Sequence, residues 1–215
     1  MIPETLREAA RRFGDSIAYV TPREWSITYA DLDRVSDEVA AGLLRRGVGV
    51  GDVVGLALPP GVEYLVAYLA TAKVGGITAG VNDKLAGPEQ TTILEVAGPR
   101  LVLAAPGCAA VVPADVAVEE VTAAESVTEV LAGLRLDAVA PPALPDDPDR
   151  AVAIVFTSGT TGSPKGALYG NRQLRFITDT DVGDAWGTGG RSYNGTSSAT
   201  LGFMSKLPGN LRRGG

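Results

Sequence analysis

The spacing of hydrophobic positions changes several times along the chain, and each change predicts an element. Leu6, Ala9, Ala10 and Phe13 recur at helical spacing behind Pro3, which predicts a short amphipathic helix over Pro3–Phe13, closed by Gly14-Asp15. Ile17–Val20 and Trp25–Thr28 read as partner strands around a turn at Pro22–Glu24. A second helix is expected from about Thr28, with Leu32, Val35, Val39, Gly42 and Leu43 on one face. Thr28-x-x-Asp31 resembles a capping box at its start, and Gly47 is a suitable stop.

From Val53 the pattern becomes a regular alternation. Strands are expected at Val53–Leu58, Ile77–Val81 and Leu101–Ala104, and helices at Val62–Val74 and Pro88–Val96. Short apolar runs separated by helices of about ten residues indicate βαβ units and a parallel sheet covered on both faces. The fold class is therefore α/β, with mostly parallel sheets flanked by helices. Residues 105–150 are less regular. Ala123–Leu134 reads as a helix, and Pro141–Arg150 as an extended, acidic, proline-rich connector. Its carboxylates (Asp146, Asp147 and Asp149) alternate with prolines and read as solvated rather than metal-binding. Ala151–Val155 is β-branched and uninterrupted, as a buried strand should be. Further on, a helix is expected at Asn171–Asp184, a strand at Ser192–Thr200 and a helix at Ser205–Leu211.

Charge and composition narrow the function classes. A net charge of −6, from 19 basic and 25 acidic residues, argues against a nucleic-acid partner. The chain has no histidine, which removes Ser-His-Asp triads and histidine metal sites together. Its single cysteine, Cys108, cannot form an internal disulfide, and without an imidazole to activate it the thiol reads as structural. Glu4 and Glu8 interrupt any secretory signal, and the apolar span Val53–Val81 is broken by Pro59-Pro60, Glu63, Lys73 and Gly75-Gly76. No transmembrane segment is expected, and a cytoplasmic, soluble protein is.

The chemistry gathers in Phe156-Thr157-Ser158-Gly159-Thr160-Thr161-Gly162-Ser163-Pro164-Lys165-Gly166, directly behind the Ala151–Val155 strand. Glycines let backbone N–H groups approach an anion without a Cβ in the way, hydroxyls add donors, and Lys165 adds a full charge. The loop is neither a Walker A motif nor G-x-G-x-x-G. A helix beginning close to Gly166 would add its dipole to the same anion. One lysine about 4 Å from a phosphate contributes about 4 kcal/mol at an effective dielectric of about 20, so several donors and a cation must share a polyanion.

This stretch closely resembles the signature loop of the AMP-forming adenylating enzymes, a family of acyl- and aryl-CoA synthetases, luciferases and peptide-synthetase adenylation domains. Ile27–Leu32 and Gly51–Leu56 resemble that family less specifically. The resemblance implies the N-terminal part of an AMP-binding domain across residues 1–215, with its phosphate loop at 156–166. It implies that a carboxylic acid attacks the α-phosphate of ATP, and that coenzyme A then takes the acyl group as co-substrate. Thr157, Ser158, Gly159, Thr160, Thr161, Gly162 and Lys165 are carried over as ATP-phosphate residues. Thr161 is carried over as a contact to Mg2+, and Thr200 as an acyl-pocket residue.

The family's adenine motif, ribose-binding acid and catalytic lysine find no match here and are expected beyond residue 215. An incomplete N-terminal domain is therefore expected, inactive alone unless an oligomer or a missing C-terminal half completes it. Two alternatives stand beside a fatty- or aryl-acid ligase: an amino-acid-activating adenylation domain, and a non-catalytic, truncated nucleotide-binding protein.

Overall fold

Two sheets organise the chain in the computed structural model, which describes residues 1–157, 164–190 and 197–214. The smaller is an antiparallel pair, β1 (Ile17–Val20) and β2 (Ser26–Thr28). The larger has six strands: β3 (Val53–Ala57), β4 (Ile77–Gly80), β5 (Leu101–Ala104), β6 (Ala117–Glu120), β7 (Ala151–Thr157) and β8 (Lys165–Gly170). Their spatial order is β6-β5-β3-β4-β7-β8, parallel throughout except for β8 against β7. The expected α/β class with a mostly parallel sheet is what the chain adopts.

Helices α1 (Ile2–Phe13), α2 (Tyr29–Arg45) and α3 (Val62–Lys73) cover one face, and α4 (Gly87–Ala97) the other. Thr28 caps α2 as the sequence suggested, its hydroxyl accepting from the Asp31 N–H at 3.1 Å. Helix α3 is buried all round, with Tyr64, Val66, Tyr68 and Leu69 inaccessible, because it lies between the sheet and α2. Its one ammonium, on Lys73, is held by Asp33 Oδ1 at 2.6 Å and Asp37 Oδ1 at 2.7 Å from α2.

Several expectations need correction. Residues 123–134 form no helix: 127–134 are consecutive turns, preceded by a bend at 125–126. Gly42 of α2 explains the geometry: a Cβ there would stand 1.6 Å from the Leu134 carbonyl oxygen, so the segment presses its backbone onto the helix. Buried Glu38 fixes the same segment, accepting from Arg135 Nε at 2.8 Å and from the Ala138 N–H at 3.3 Å. Tertiary contacts thus override local helix preference, and Leu131 takes a positive φ of 51°. Strand β6 had no sequence signal, being short and half acidic.

Strand β8 was also unforeseen, because Lys165–Gly170 reads as the end of a glycine-rich loop. Its presence moves the next helix, α5 (Asn171–Val182), away from the loop. Gly170, which caps α5, lies opposite Ala151 at the start of β7, at the far end of the hairpin from Thr157. The amino end of α5 therefore lies away from the carboxyl end of β7, where the expected phosphate loop begins. Ser197–Thr200 is a turn and not strand, followed by two helices, α6 (Leu201–Met204) and α7 (Leu207–Arg213), where one was expected at 205–211. The remainder of the expected 192–200 strand lies outside the described residues. No helix among the described residues is long and apolar enough to cross a membrane.

Candidate functional site

In an open parallel sheet, ligands bind outside the carboxyl ends of the strands, where successive connections leave on opposite faces. Here β3 continues through α3 to β4 on one face, and β4 continues through α4 back across β3 to β5 on the other. The crevice is therefore at the carboxyl ends of β3 and β4, with β7 alongside β4. The hairpin β7–β8 brings the sequence-defined loop to this same end. Thr157 is the last residue of β7 and Lys165 the first of β8, and the two are register partners. The Thr157 hydroxyl lies 3.5 Å from the Lys165 carbonyl oxygen, and both residues are exposed. Ser158, Gly159, Thr160, Thr161 and Gly162 lie outside the described residues.

Thr200 belongs to a second segment at this end. It caps α6, its carbonyl accepting from Met204 N at 3.0 Å, while the Ser197 hydroxyl accepts from Ala199 N at 3.3 Å. The turn rests on β4 at a position only glycine can fill. A Cβ on Gly80 would meet Ala199 Cα at 2.9 Å and the Tyr64 hydroxyl at 2.6 Å. From below, Tyr68 donates to the Met204 carbonyl at 3.0 Å, Tyr64 Oη lies 3.6 Å from Met204 Sδ, and Tyr64 meets Phe203 edge-on at 5.8 Å. Burial pushes both phenols up from their ordinary value, so each stays a neutral hydroxyl. The β7–β8 hairpin and the Thr200 turn are thus anchored to adjacent strands.

Sequence reasoning missed the loop that leaves β4. Asn82 Oδ1 accepts from Lys84 N at 3.1 Å, and Asp83 Oδ1 is buried with no partner among the described residues; a second lysine, exposed Lys84, stands at the same end. The only signal available was position, directly behind a buried strand. Among the described residues no cluster of three or more His, Cys, Asp or Glu could hold a metal. Thr157 and Lys165 offer a hydroxyl and an ammonium, which suit phosphate oxygens and not a bare cation. A Mg2+ at this end fits only as a partner of the phosphates.

One sizeable groove among the described residues is elsewhere. A groove of about 450 Å³ runs between α1, α2 and Ala138–Ala140, lined by Arg7, Asp33, Arg34 and Glu38. Mixed charge already engaged in ion pairs on α2 gives it no evident ligand chemistry, and the sheet's carboxyl end remains the better candidate on chemical grounds.

A doubly covered, mostly parallel sheet with a glycine- and hydroxyl-rich hairpin at its carboxyl end defines an α/β protein of the adenylate-forming architecture. The chain belongs to the AMP-binding enzyme family, whose model matches residues 6–204. It is similar to a long-chain-fatty-acid–CoA ligase, FadD13, of Mycobacterium tuberculosis, 33% identical over 160 residues that make up 71% of this chain and 31% of the ligase. It is also similar to the nonribosomal peptide synthetase-like enzyme fsqF of Aspergillus fumigatus, 31% identical over 83% of this chain and 11% of that enzyme. Among solved structures, the N-terminal domain of FACL13 from Mycobacterium tuberculosis superposes with a TM-score of 0.83 at 26% identity, covering 99% of this chain and 55% of that one. The chain therefore spans about a third of the length of the ligase and about half of the solved domain.

Proposed function

We propose that this chain is the amino-terminal part of an acid–CoA ligase, which activates a carboxylic acid with ATP and passes the acyl group to coenzyme A. The family match across residues 6–204, with the loop of that family closing a hairpin at the sheet's carboxyl end, is the observation that carries the reading. In the first step a carboxylate oxygen bonds to the α-phosphorus, the bond from that phosphorus to the bridging oxygen breaks, and pyrophosphate leaves with the electron pair. Thr157, Ser158, Gly159, Thr160, Thr161, Gly162 and Lys165 hold the β- and γ-phosphates, where the leaving charge develops. Thr161 would help hold a Mg2+, which would supply positive charge to offset that of the phosphates. Thr200, on the turn beside β4, borders the acid.

Amino-acid activation is a second reading, favoured by the similarity to fsqF. Titration of the 215-residue chain with non-hydrolysable fatty-acyl, aroyl and aminoacyl adenylate analogues separates the two, since the better-bound class identifies the acid. ATP–pyrophosphate exchange is expected to be absent for this chain alone. Robust exchange would refute the assignment of the catalytic residues to a part beyond it, and failure to bind any of the analogues would refute the ligase reading.

A further inference from the structure

Helix α6 has four residues, too few to hold its own shape, so its geometry is set from outside. One tie leaves its last residue. A continuing helix would bring the N–H of residue 208 to the Met204 carbonyl, but Pro208 has none. The Tyr68 hydroxyl takes that place, donating to the Met204 carbonyl at 3.0 Å with both residues buried. Met204 also faces the other way: its N–H donates to the Thr200 carbonyl at 3.0 Å. Two hydrogen bonds through Met204 therefore join Tyr68 to Thr200. Tyr68 itself has little freedom, being inaccessible in the middle of α3, whose end is tied to α2 through Lys73.

We infer that Tyr68 is a positioning residue for acid binding: its hydroxyl, acting through Met204, fixes the orientation of the Thr200 turn at the carboxyl end of β4. The inference rests on the reading of Thr200 as bordering the acid and goes beyond it, since Tyr68 is enclosed and acts only through the turn. Tyr64, one helical turn earlier on the same face, is the natural comparison. It is equally buried, but its hydroxyl reaches only Met204 Sδ, at 3.6 Å, and a thioether is a weak acceptor. What Tyr64 supplies is bulk: its ring meets Phe203 edge-on, and its hydroxyl fills the space beside Gly80. Deleting either hydroxyl removes the same group from the same helix, yet only Tyr68→Phe takes the donor from a carbonyl of α6. Without that bond the turn populates other orientations, and affinity for the acid falls with the fraction correctly placed. A hydrogen bond of ordinary net strength corresponds to a change of about threefold to tenfold.

Two measurements on the 215-residue chain and its Tyr68→Phe, Tyr64→Phe and Thr200→Phe variants test the inference. Hydrogen exchange reads the tie without a ligand. Relative to the amides of α3, the Met204 amide should exchange faster in Tyr68→Phe and at its original rate in Tyr64→Phe. Titration reads the consequence, as the ratio of affinities for a non-hydrolysable acyl-adenylate analogue and for AMP, using the best bound of the fatty-acyl, aroyl and aminoacyl forms. AMP lacks the acyl group, so a general loss of stability leaves this ratio alone. Tyr68→Phe should weaken the analogue about threefold to tenfold relative to AMP, and Tyr64→Phe by less than about twofold. An unchanged ratio in Tyr68→Phe, while Thr200→Phe shifts it, would overturn the inference and leave the reading of Thr200 standing. An unchanged ratio in both variants would remove that reading and the inference with it, as would failure to bind any analogue. Equal losses in Tyr68→Phe and Tyr64→Phe, or an unmoved Met204 amide, would overturn the inference by showing that core packing alone sets the turn.

Discussion

Replacing Glu38 by Gln removes one charge from the best-enclosed ion pair of the molecule while keeping the side chain's shape. Glu38 accepts from Arg135 at 2.6 and 2.8 Å and from Arg34 at 3.1 Å, and its side chain and that of Arg135 are 4% and 8% exposed. Breaking a buried pair costs about 3–5 kcal/mol, because the remaining charge is left uncompensated. Arg135 keeps the carbonyls of Val127 and Thr128, both at 3.0 Å, so the low end, about 3 kcal/mol, applies. At about 2–4 °C per kcal/mol for a chain of this size, the midpoint should fall by about 6–12 °C.

The sign of the pH dependence follows from the same contacts. Burial pushes the Glu38 carboxyl up, but the hydrogen bond from Arg135, the Ala138 N–H and the nearby guanidinium charges outweigh it and hold the group below its ordinary value. Its contribution is complete above the unfolded value of about 4.3 and is lost as pH falls through the lower folded value. Urea denaturation of both proteins should show the full difference at pH 7 and a closing gap in acid. A difference under about 1 kcal/mol at pH 7, or one indifferent to pH, would refute this account of how residues 126–139 are held to α2.

Gly42→Ala should destabilise despite the about 1 kcal/mol that alanine adds to a helix, because overpacking costs about 1–3 kcal/mol and the Leu134 carbonyl must move; a raised urea midpoint would contradict the contact. Gly80→Val should push Ala199 off β4 and weaken binding of an acyl-adenylate analogue several-fold more than binding of ATP, measured by parallel titrations. Equal losses would separate the Thr200 turn from acid binding.

Much of the architecture could be read from local pattern, since βαβ units announce themselves by period. Helices α1 to α4 and strands β3, β4, β5 and β7 have strong, separate signals, and their boundaries move by only a few residues. What escaped depends on contacts far along the chain. The turns at 127–134 exist because Gly42 and Glu38 receive them and the residues that follow, and nothing within the segment itself records that. Strands β6 and β8 are edges, where one neighbour stabilises a sequence too polar or too rich in glycine to look like a strand. At the site, the loop motif carried its own chemistry from Thr157 to Lys165, whereas the β4 loop with Asp83 and Lys84 has no motif and is distinguished only by the sheet order.

Binding of Mg-ATP to the 215-residue chain, compared with Lys165→Ala and Gly159→Val, tests the central claim most directly. Lys165 is exposed, so screening should reduce its Coulomb contribution to about 1.4 kcal/mol, a tenfold loss of affinity on removal. The account predicts at least that loss for each variant, with AMP, which has no β- or γ-phosphate, bound alike by all three proteins. Unchanged ATP affinity in both variants would contradict it.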